Sequence, residues 1–465
     1  MKQFILYIVF SFCYTSFSFA QNNMMYNTFI ENLKSNYPLI NTANNISKIG
    51  NLTLKSARGQ YDPFLSSTFD NKFYNGTNYY SILDAKIKQP IFTSQYITAG
   101  YQYAQGDYLN PQNTLPANGA AFIGIEASLI QGLILDKRRA DVLKSKGYTD
   151  YYDAEKNSLT NDILYSASVM YFEWVFACKE LSLYDFFSKQ AYIRFTAIKA
   201  LTEVGEYAAM DSIEAQILFQ SRNLELQSIQ METTKKSAEI IKLSWGENGE
   251  TAVFHSNIIL TDSLELCFEK SKLKYLTYIQ DTTLNNPVLD KYTAYQKILA
   301  IDNRYKAELI KPKLDISYNF ISNNITGFEN SFNTNNYKWG LNFSVPIFLR
   351  NSRNELKISK INLTNNRLEL SNKKVELTVN IDALRSIVEI TLDQLSYSEK
   401  NVHYSSLLLN AEKEKFNVGE SSVFLVNTRE TKLMEAKLKL AEYQLKFIKT
   451  IFEMEYIKGN MDYAL

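Results

Sequence analysis

The sequence runs to 465 residues, with 50 lysines and arginines against 49 aspartates and glutamates. That balance leaves no basic surplus for nucleic acid. Three cysteines exclude a disulfide scaffold, and the only histidines, His255 and His403, have neither a cysteine nor a second histidine nearby to complete a metal site.

Met1-Lys2-Gln3 carries one positive charge, and the run "FILYIVFSFCYTSFSFA" ends at Ser18-Phe19-Ala20. This pattern predicts a signal peptide over 1–20, cut before Gln21, and so an exported chain. The rival reading, a membrane-anchoring helix, lacks a stop-transfer flank. Cys13 sits too early in the apolar run for lipid attachment. Cys178 and Cys267 remain, with a single bridge between them open. After residue 20 no apolar run is long enough for a transmembrane helix, so entry into a membrane would be by strands.

The chain then repeats itself. "NYPLI" (36–40) matches "NNPVL" (285–289), and the same offset carries Pro63 onto Pro312. "FIGIEASLIQGLILDKRR" (122–139) aligns with "KWGLNFSVPIFLRNSRNE" (338–355), and "EVGEYAAMDSIEAQ" (203–216) with "NVGESSVFLVNTRE" (417–430). Four matches in one order mark a duplication with its seam near residue 284.

Each half follows one programme. A helix (about 24–58, then about 286–309) leads through a proline into a β region, since proline disfavours helix in the residue before it. The first β region, about 62–130, alternates through Phe69, Phe73, Tyr79, Ile82, Ala85 and Ile87, with Asn75-Gly76 as a turn. The second, about 312–349, offers "KLDISYNFIS" and "YKWGLNFSVPIF". Tyrosines such as Tyr61, Tyr74, Tyr79 and Tyr108 crowd the first region and suit an interfacial belt. These strands alone fit a membrane barrel and a soluble β-sandwich edge equally well. Pro63 and Gly124 are 61 residues apart, but Pro312 and Gly340 only 28. The excess is either an extra hairpin or a long outward loop, so four and six strands per chain both stay open.

Helical hairpins follow, at about 136–243 and about 354–458, with a mixed segment at about 245–268. Ile361, Leu368 and Val375 are spaced by seven, as are Val426, Leu433, Leu440 and Phe447. This is coiled-coil periodicity, and helices so long need apolar neighbours along their whole length.

Together the signal peptide, the tandem helix–strands–long-helix–turn–long-helix repeats (21–284 and 285–465), the "NNPVL"-type openings and the "VGE" helix breaks resemble the TolC-type outer membrane efflux proteins. The resemblance implies a mainly α fold with membrane β: tandem-repeat antiparallel helical hairpins forming a trimeric α-barrel, plus strands contributed to a shared outer-membrane β-barrel. It implies a homotrimer in the outer membrane of a Gram-negative bacterium, in contact with its lipid and with a long periplasmic portion. A periplasmic adaptor (membrane fusion) protein and an inner-membrane RND or ABC-type transporter would be the partners, and small molecules or polypeptides the cargo. No cofactor is implied.

Under this resemblance, Val204-Gly205-Glu206 and Val418-Gly419-Glu420 mark the periplasmic tips, where the adaptor docks. Asp211 and Glu214, just past the first glycine, would line the pore constriction. The matching positions in the second half, Leu425 and Thr428, would line the same constriction and make it less acidic and partly apolar. For Asp211 the plain alternative is a helix-start acid favoured by the helix dipole. No phosphate loop or nucleophile motif is present, which points away from an enzyme. The competing function is an exported periplasmic coiled-coil scaffold or binding protein without a pore.

Overall fold

The computed structural model describes residues 23–91, 94–246, 249, 259–260, 262–278, 284–322 and 334–461. The expected signal peptide and half of the segment at 245–268, with His255, lie outside them. In chain order the elements are β1 (Asn23–Met24), α1 (Tyr26–Asn36), α2 (Pro38–Arg58), β2 (Phe64–Tyr74), β3 (Thr77–Pro90), β4 (Gln95–Gln105) and β5 (Ala120–Ser128). Then come α3 (Lys137–Glu203), α4 (Ala209–Leu243), β6 (Ile259–Leu260), α5 (Leu264–Tyr278) and α6 (Pro287–Glu308). Strands β7 (Lys313–Ser322) and β8 (Tyr337–Ser344) lead into α7 (Arg350–Asn417) and α8 (Val423–Lys458).

The helix expected over 24–58 is two helices. Pro38 holds Tyr37 in extended backbone at ψ 125° and opens α2 at its first position, where a missing N–H costs nothing. Helix α3 needs no such break. Asp136 caps it by accepting from the Arg139 N–H at 3.0 Å, and its 67 residues reach roughly 100 Å at 1.5 Å per residue. Gly147 lets α6 approach closely, since a Cβ there would stand 2.6 Å from Ile298 Cγ1.

The core lies midway along the long helices. Tyr171 and Phe172 of α3 meet Phe447 and Phe452 of α8, all at most 1% exposed, with Tyr26 stacked on Phe172 at 5.0 Å. Asp262 ties the N-terminal segment to this cluster, accepting from the Tyr26 N–H at 2.8 Å and the Tyr171 hydroxyl at 2.9 Å. Beside that knot β1 and β6 pair in parallel. Cys178 and Cys267 are unbonded, so the bridge left open by the sequence does not form. Burial pushes their thiols up to about 11 and about 12.

The heptad seam is used unevenly. Ile381, Leu384, Val388, Val426, Leu433 and Phe447 are buried, whereas Ile361, Leu368 and Val375 each stay more than half exposed. Within one chain, the first half of α7 has its apolar stripe in water.

The remaining strands form one curled antiparallel sheet in the order β2-β3-β4-β5-β7-β8. Asn75 and Gly76 turn β2 into β3 with φ 53° and 74°, the left-handed pair of a type I′ hairpin. The excess length of the first half is therefore a hairpin, β3–β4. No described helix is long and apolar enough to cross a membrane.

Candidate functional site

The ladder registers assign every sheet residue to a face. Leu65, Phe69, Leu83, Ile87, Ile97, Ile123, Ile125, Ile316, Tyr318, Trp339, Leu341 and Phe343 fall on one side. Facing the other way are Asp70, Asp84, Lys86, Lys88, Gln102, Glu126, Asp315, Ser317, Asn319 and Lys338. A soluble sandwich hides its apolar face and wets its polar one. Here the apolar face is the bare one: Leu65, Phe69, Trp339 and Phe343 are each 60% exposed or more. Strands of 8 to 14 residues match the length a bilayer requires. An apolar outside, a polar inside and tyrosines near the strand ends fit a barrel wall in lipid.

On the polar, concave side a cavity of about 720 Å³ lies where sheet meets helices, lined by Lys88, Tyr96, Glu126, Arg138 and Asp315 among others. Lys88 pairs with Glu126 and lies 4.1 Å over the Tyr96 ring. Arg138 stacks on the same ring at 4.2 Å while donating to Asp136 at 3.1 Å. The Ser94 hydroxyl donates to the Gly132 carbonyl at 2.7 Å, so the start of β4 is fastened to the approach to α3.

At the far end of the hairpins the two "VGE" stretches form the same object. Gly205 N–H donates to the Thr202 carbonyl at 3.1 Å and Glu206 N–H to Leu201 at 2.9 Å. Gly419 donates to Phe416 at 3.1 Å and Glu420 to Lys415 at 2.9 Å. Both are Schellman motifs, ended by a left-handed residue that glycine adopts without strain, here at φ 84° and 81°. Val204 and Val418 are the C-caps and stand exposed. The two turns lie at one end of the molecule: Ile198, Ala215 and Val423 are buried together, and the Tyr207 and Phe416 rings are 6.0 Å apart.

Asp211 and Glu214 are half-buried in the first turns of α4, three residues apart and so on one face. Leu425 and Thr428 hold the corresponding positions of α8 and are exposed, with the Thr428 hydroxyl donating to Phe424 at 2.8 Å.

The structure adds a polar seam that the sequence did not suggest. Arg194 of α3 binds Asn427 at 2.5 Å and pairs with Glu430, itself only 2% exposed. Arg222 of α4, equally buried, donates to Thr431 at 2.8 Å and Glu225 at 2.9 Å. Both helices of the first hairpin thus grip one face of α8. Periodicity carries no trace of it, because the partners lie more than two hundred residues away. Among the described residues no group of three or more His, Cys, Asp or Glu is placed to hold a metal ion.

No protein-family model and no curated protein matches the sequence. Solved structures do match. The Vibrio cholerae outer membrane protein VceC superposes with a TM-score of 0.65 at 13% identity, over 93% of this chain and 95% of its own. The Campylobacter jejuni CmeC outer membrane channel gives 0.64 at 12%, over 93% and 85%. The Neisseria gonorrhoeae MtrE outer membrane channel, in its open state, gives 0.61 at 12%, over 93% and 88%. At such identities the likeness is one of fold, and the fold of this chain is that of the TolC-type outer-membrane efflux channels.

Proposed function

We propose that this chain is the outer-membrane channel subunit of a tripartite efflux or type I secretion system. Three copies pool their sheets into a barrel and their hairpins into a periplasmic tube. An adaptor couples the tube to an inner-membrane RND or ABC-type transporter, which supplies the energy. The observation that carries this reading is the sheet with its bare apolar face and polar concave face, continuous with hairpins of roughly 100 Å. A pore-free periplasmic scaffold has no use for that exposed apolar face. Fractionation and planar-bilayer recording test the proposal. The protein should require detergent for extraction and should conduct. Release by osmotic shock as a soluble monomer would overturn it.

Within this function, the exposed Schellman turns at Gly205 and Gly419 are the adaptor-docking tips, and Asp211 with Glu214 forms the pore constriction. Three copies of Asp211 converging on the axis attract cations. Asp211→Asn should therefore lower cation selectivity and block by multivalent cations, and the double change with Glu214→Gln should lower both further. Unchanged selectivity in a folded channel would leave Asp211 only its place at a helix start. Gly205→Ile or Gly419→Ile should impair export while leaving the assembly intact, because positive φ penalises a β-branched residue at the turn itself.

A further inference from the structure

Two edges of the sheet are unused. β2 pairs only with β3, and β8 only with β7, among the described residues. In a sheet whose outer face meets lipid, unpaired backbone N–H and C=O groups along an edge cost several kcal/mol each, so these edges must find partners. The strands alternate in direction. With six of them, β2 runs away from the helices and β8 runs back toward them. One copy's β8 therefore meets the next copy's β2 antiparallel. The faces also agree: Leu65, Phe69 and Phe73 continue the apolar side of Trp339, Leu341 and Phe343, and Thr68 and Asp70 continue the polar side of Lys338 and Asn342.

The registers give the tilt. Followed straight across the ladder, Phe64 at the helix end of β2 stands level with Lys88, Thr98, Gly124, Asn319 and Lys338. Lys338 is the second residue of β8, at its outer end, and the helix end of that strand is Ser344. Five strand spacings of about 4.8 Å thus accumulate a slip of about six residues at about 3.4 Å, which sets the strands at roughly 40°. That is the inclination of a membrane barrel. At this tilt each strand takes about 6 Å of circumference, so six span an arc of roughly 38 Å. The four long helices α3, α4, α7 and α8, side by side at about 10 Å, span roughly 40 Å. The two arcs match.

We infer that three copies of this chain close one eighteen-stranded barrel, β2 of each copy pairing with β8 of the next, with a bore as wide as the helical tube below it. The copy number rests on the channel function proposed above, whereas the six strands, their tilt and the matching arcs belong to the sheet itself. Eighteen strands give about 36 Å between opposite backbones, the range of an open porin; without β3–β4 twelve would give about 24 Å. Two groups of the lumen face lie flat against the wall. The Phe122 ring covers Gly100, and the Asn319 side chain covers Gly124, each where a Cβ would collide. The membrane section therefore limits cargo only near its own width, well above that of a twelve-stranded barrel. Selection by size falls to the hairpin ends, and bulky or polypeptide cargo passes the barrel.

Continuing the slip across the joint brings Asn342 opposite Ser66 or Thr68 of the next copy. Ser66→Cys or Thr68→Cys, each combined with Asn342→Cys, should give under oxidation a ladder of covalent dimer and trimer that stops at three. The native Cys178 and Cys267 are half-buried and buried, and the unmodified chain is the control. On that unmodified chain, polyethylene glycols added from the outer side should be excluded only above a diameter well beyond what a twelve-stranded barrel admits. Crosslinks confined within one chain, or none in a protein that still conducts, would overturn the eighteen-stranded barrel alone, as would a narrow polymer cut-off. A protein that does not conduct at all would instead overturn the channel function.

Discussion

The two halves of this molecule are nearly identical at one end and plainly different at the other. Their hairpins turn through the same Schellman motif, with φ 84° at Gly205 and 81° at Gly419. At the sheet, among the described residues, the first half places four strands, β2 to β5, and the second two, β7 and β8. A helix turn is dictated by local backbone chemistry, and few sequences satisfy it. A sheet can accept an added hairpin if apolar and polar residues keep alternating. The halves also part company just beyond the matched turns. Counted from each glycine, Asp211 corresponds to Leu425, Glu214 to Thr428, Glu180 to Gln394 and Ala208 to Ser422. Backbone geometry is shared between the halves, and charge is not.

The largest effect should come from the sheet, where the halves differ in strand number but share one lipid face. Ile125→Lys in the first half and Leu341→Lys in the second should each cost about 2–4 kcal/mol per chain at the bilayer midplane. The folded fraction in the outer membrane should fall alike for both, while Gln102→Lys on the polar face should leave it unchanged. A mild effect at either apolar site would mean that the sheet does not meet lipid there.

The turns come next. A Cβ at Gly205 or Gly419 meets nothing within 4 Å, so alanine there meets only the backbone penalty of positive φ, about 1–2 kcal/mol. Urea unfolding should show equal losses for the two variants. Gly459 has a similar φ of 79°, but a Cβ there lies 2.6 Å from Pro287 Cδ. Gly459→Ala should therefore lose more than either.

A smaller effect concerns charge along the helices. Burial and then the nearby Glu232 and Glu442 push the Glu180 carboxyl up to about 7. A carboxyl raised above its ordinary value near 4.5 contributes most below that pH, and the contribution is lost as pH climbs toward 7. Relative to Glu180→Gln, which copies Gln394 of the second half, the unmodified protein should lose thermal stability across that window. Parallel pH profiles would show that neither burial nor the neighbouring acids raise this carboxyl.

The smallest effect should be at the helix starts. Ser422 accepts from the Leu425 N–H at 3.3 Å, while Ala208 offers α4 no side-chain cap. Ser422→Ala should cost about 0.5–1 kcal/mol and Ala208→Ser recover a similar amount, as measured by chemical denaturation.

The sequence exposed those features whose cause is local. Asn75-Gly76 requires two left-handed residues in a row, and "VGE" requires one, so both could be read directly. The break at Pro38 was missed by the single helix expected over 24–58, although its repeat partner Pro287 stands at the start of the second half's helix. Strand number could not be read, because period-two alternation says which way a residue points but not which strand lies beside it. The grip of Arg194 and Arg222 on α8 was invisible for a similar reason. An arginine on a helix looks solvated until a partner such as Glu430, far along the chain, arrives at its side. The heptads promised a seam but could not say that Ile361, Leu368 and Val375 would lack a partner within the chain.

That bare stripe has a thermodynamic consequence. Covering a large aliphatic side chain is worth about 1.5–3 kcal/mol, and α7 withholds three from the single chain's own core. In the proposed trimer, part of the free energy that holds the native state is released only when neighbouring copies arrive. Folding then becomes a reaction of higher order, and the unfolding midpoint should rise with the amount of protein present. Dilution would act on such a chain as a denaturant.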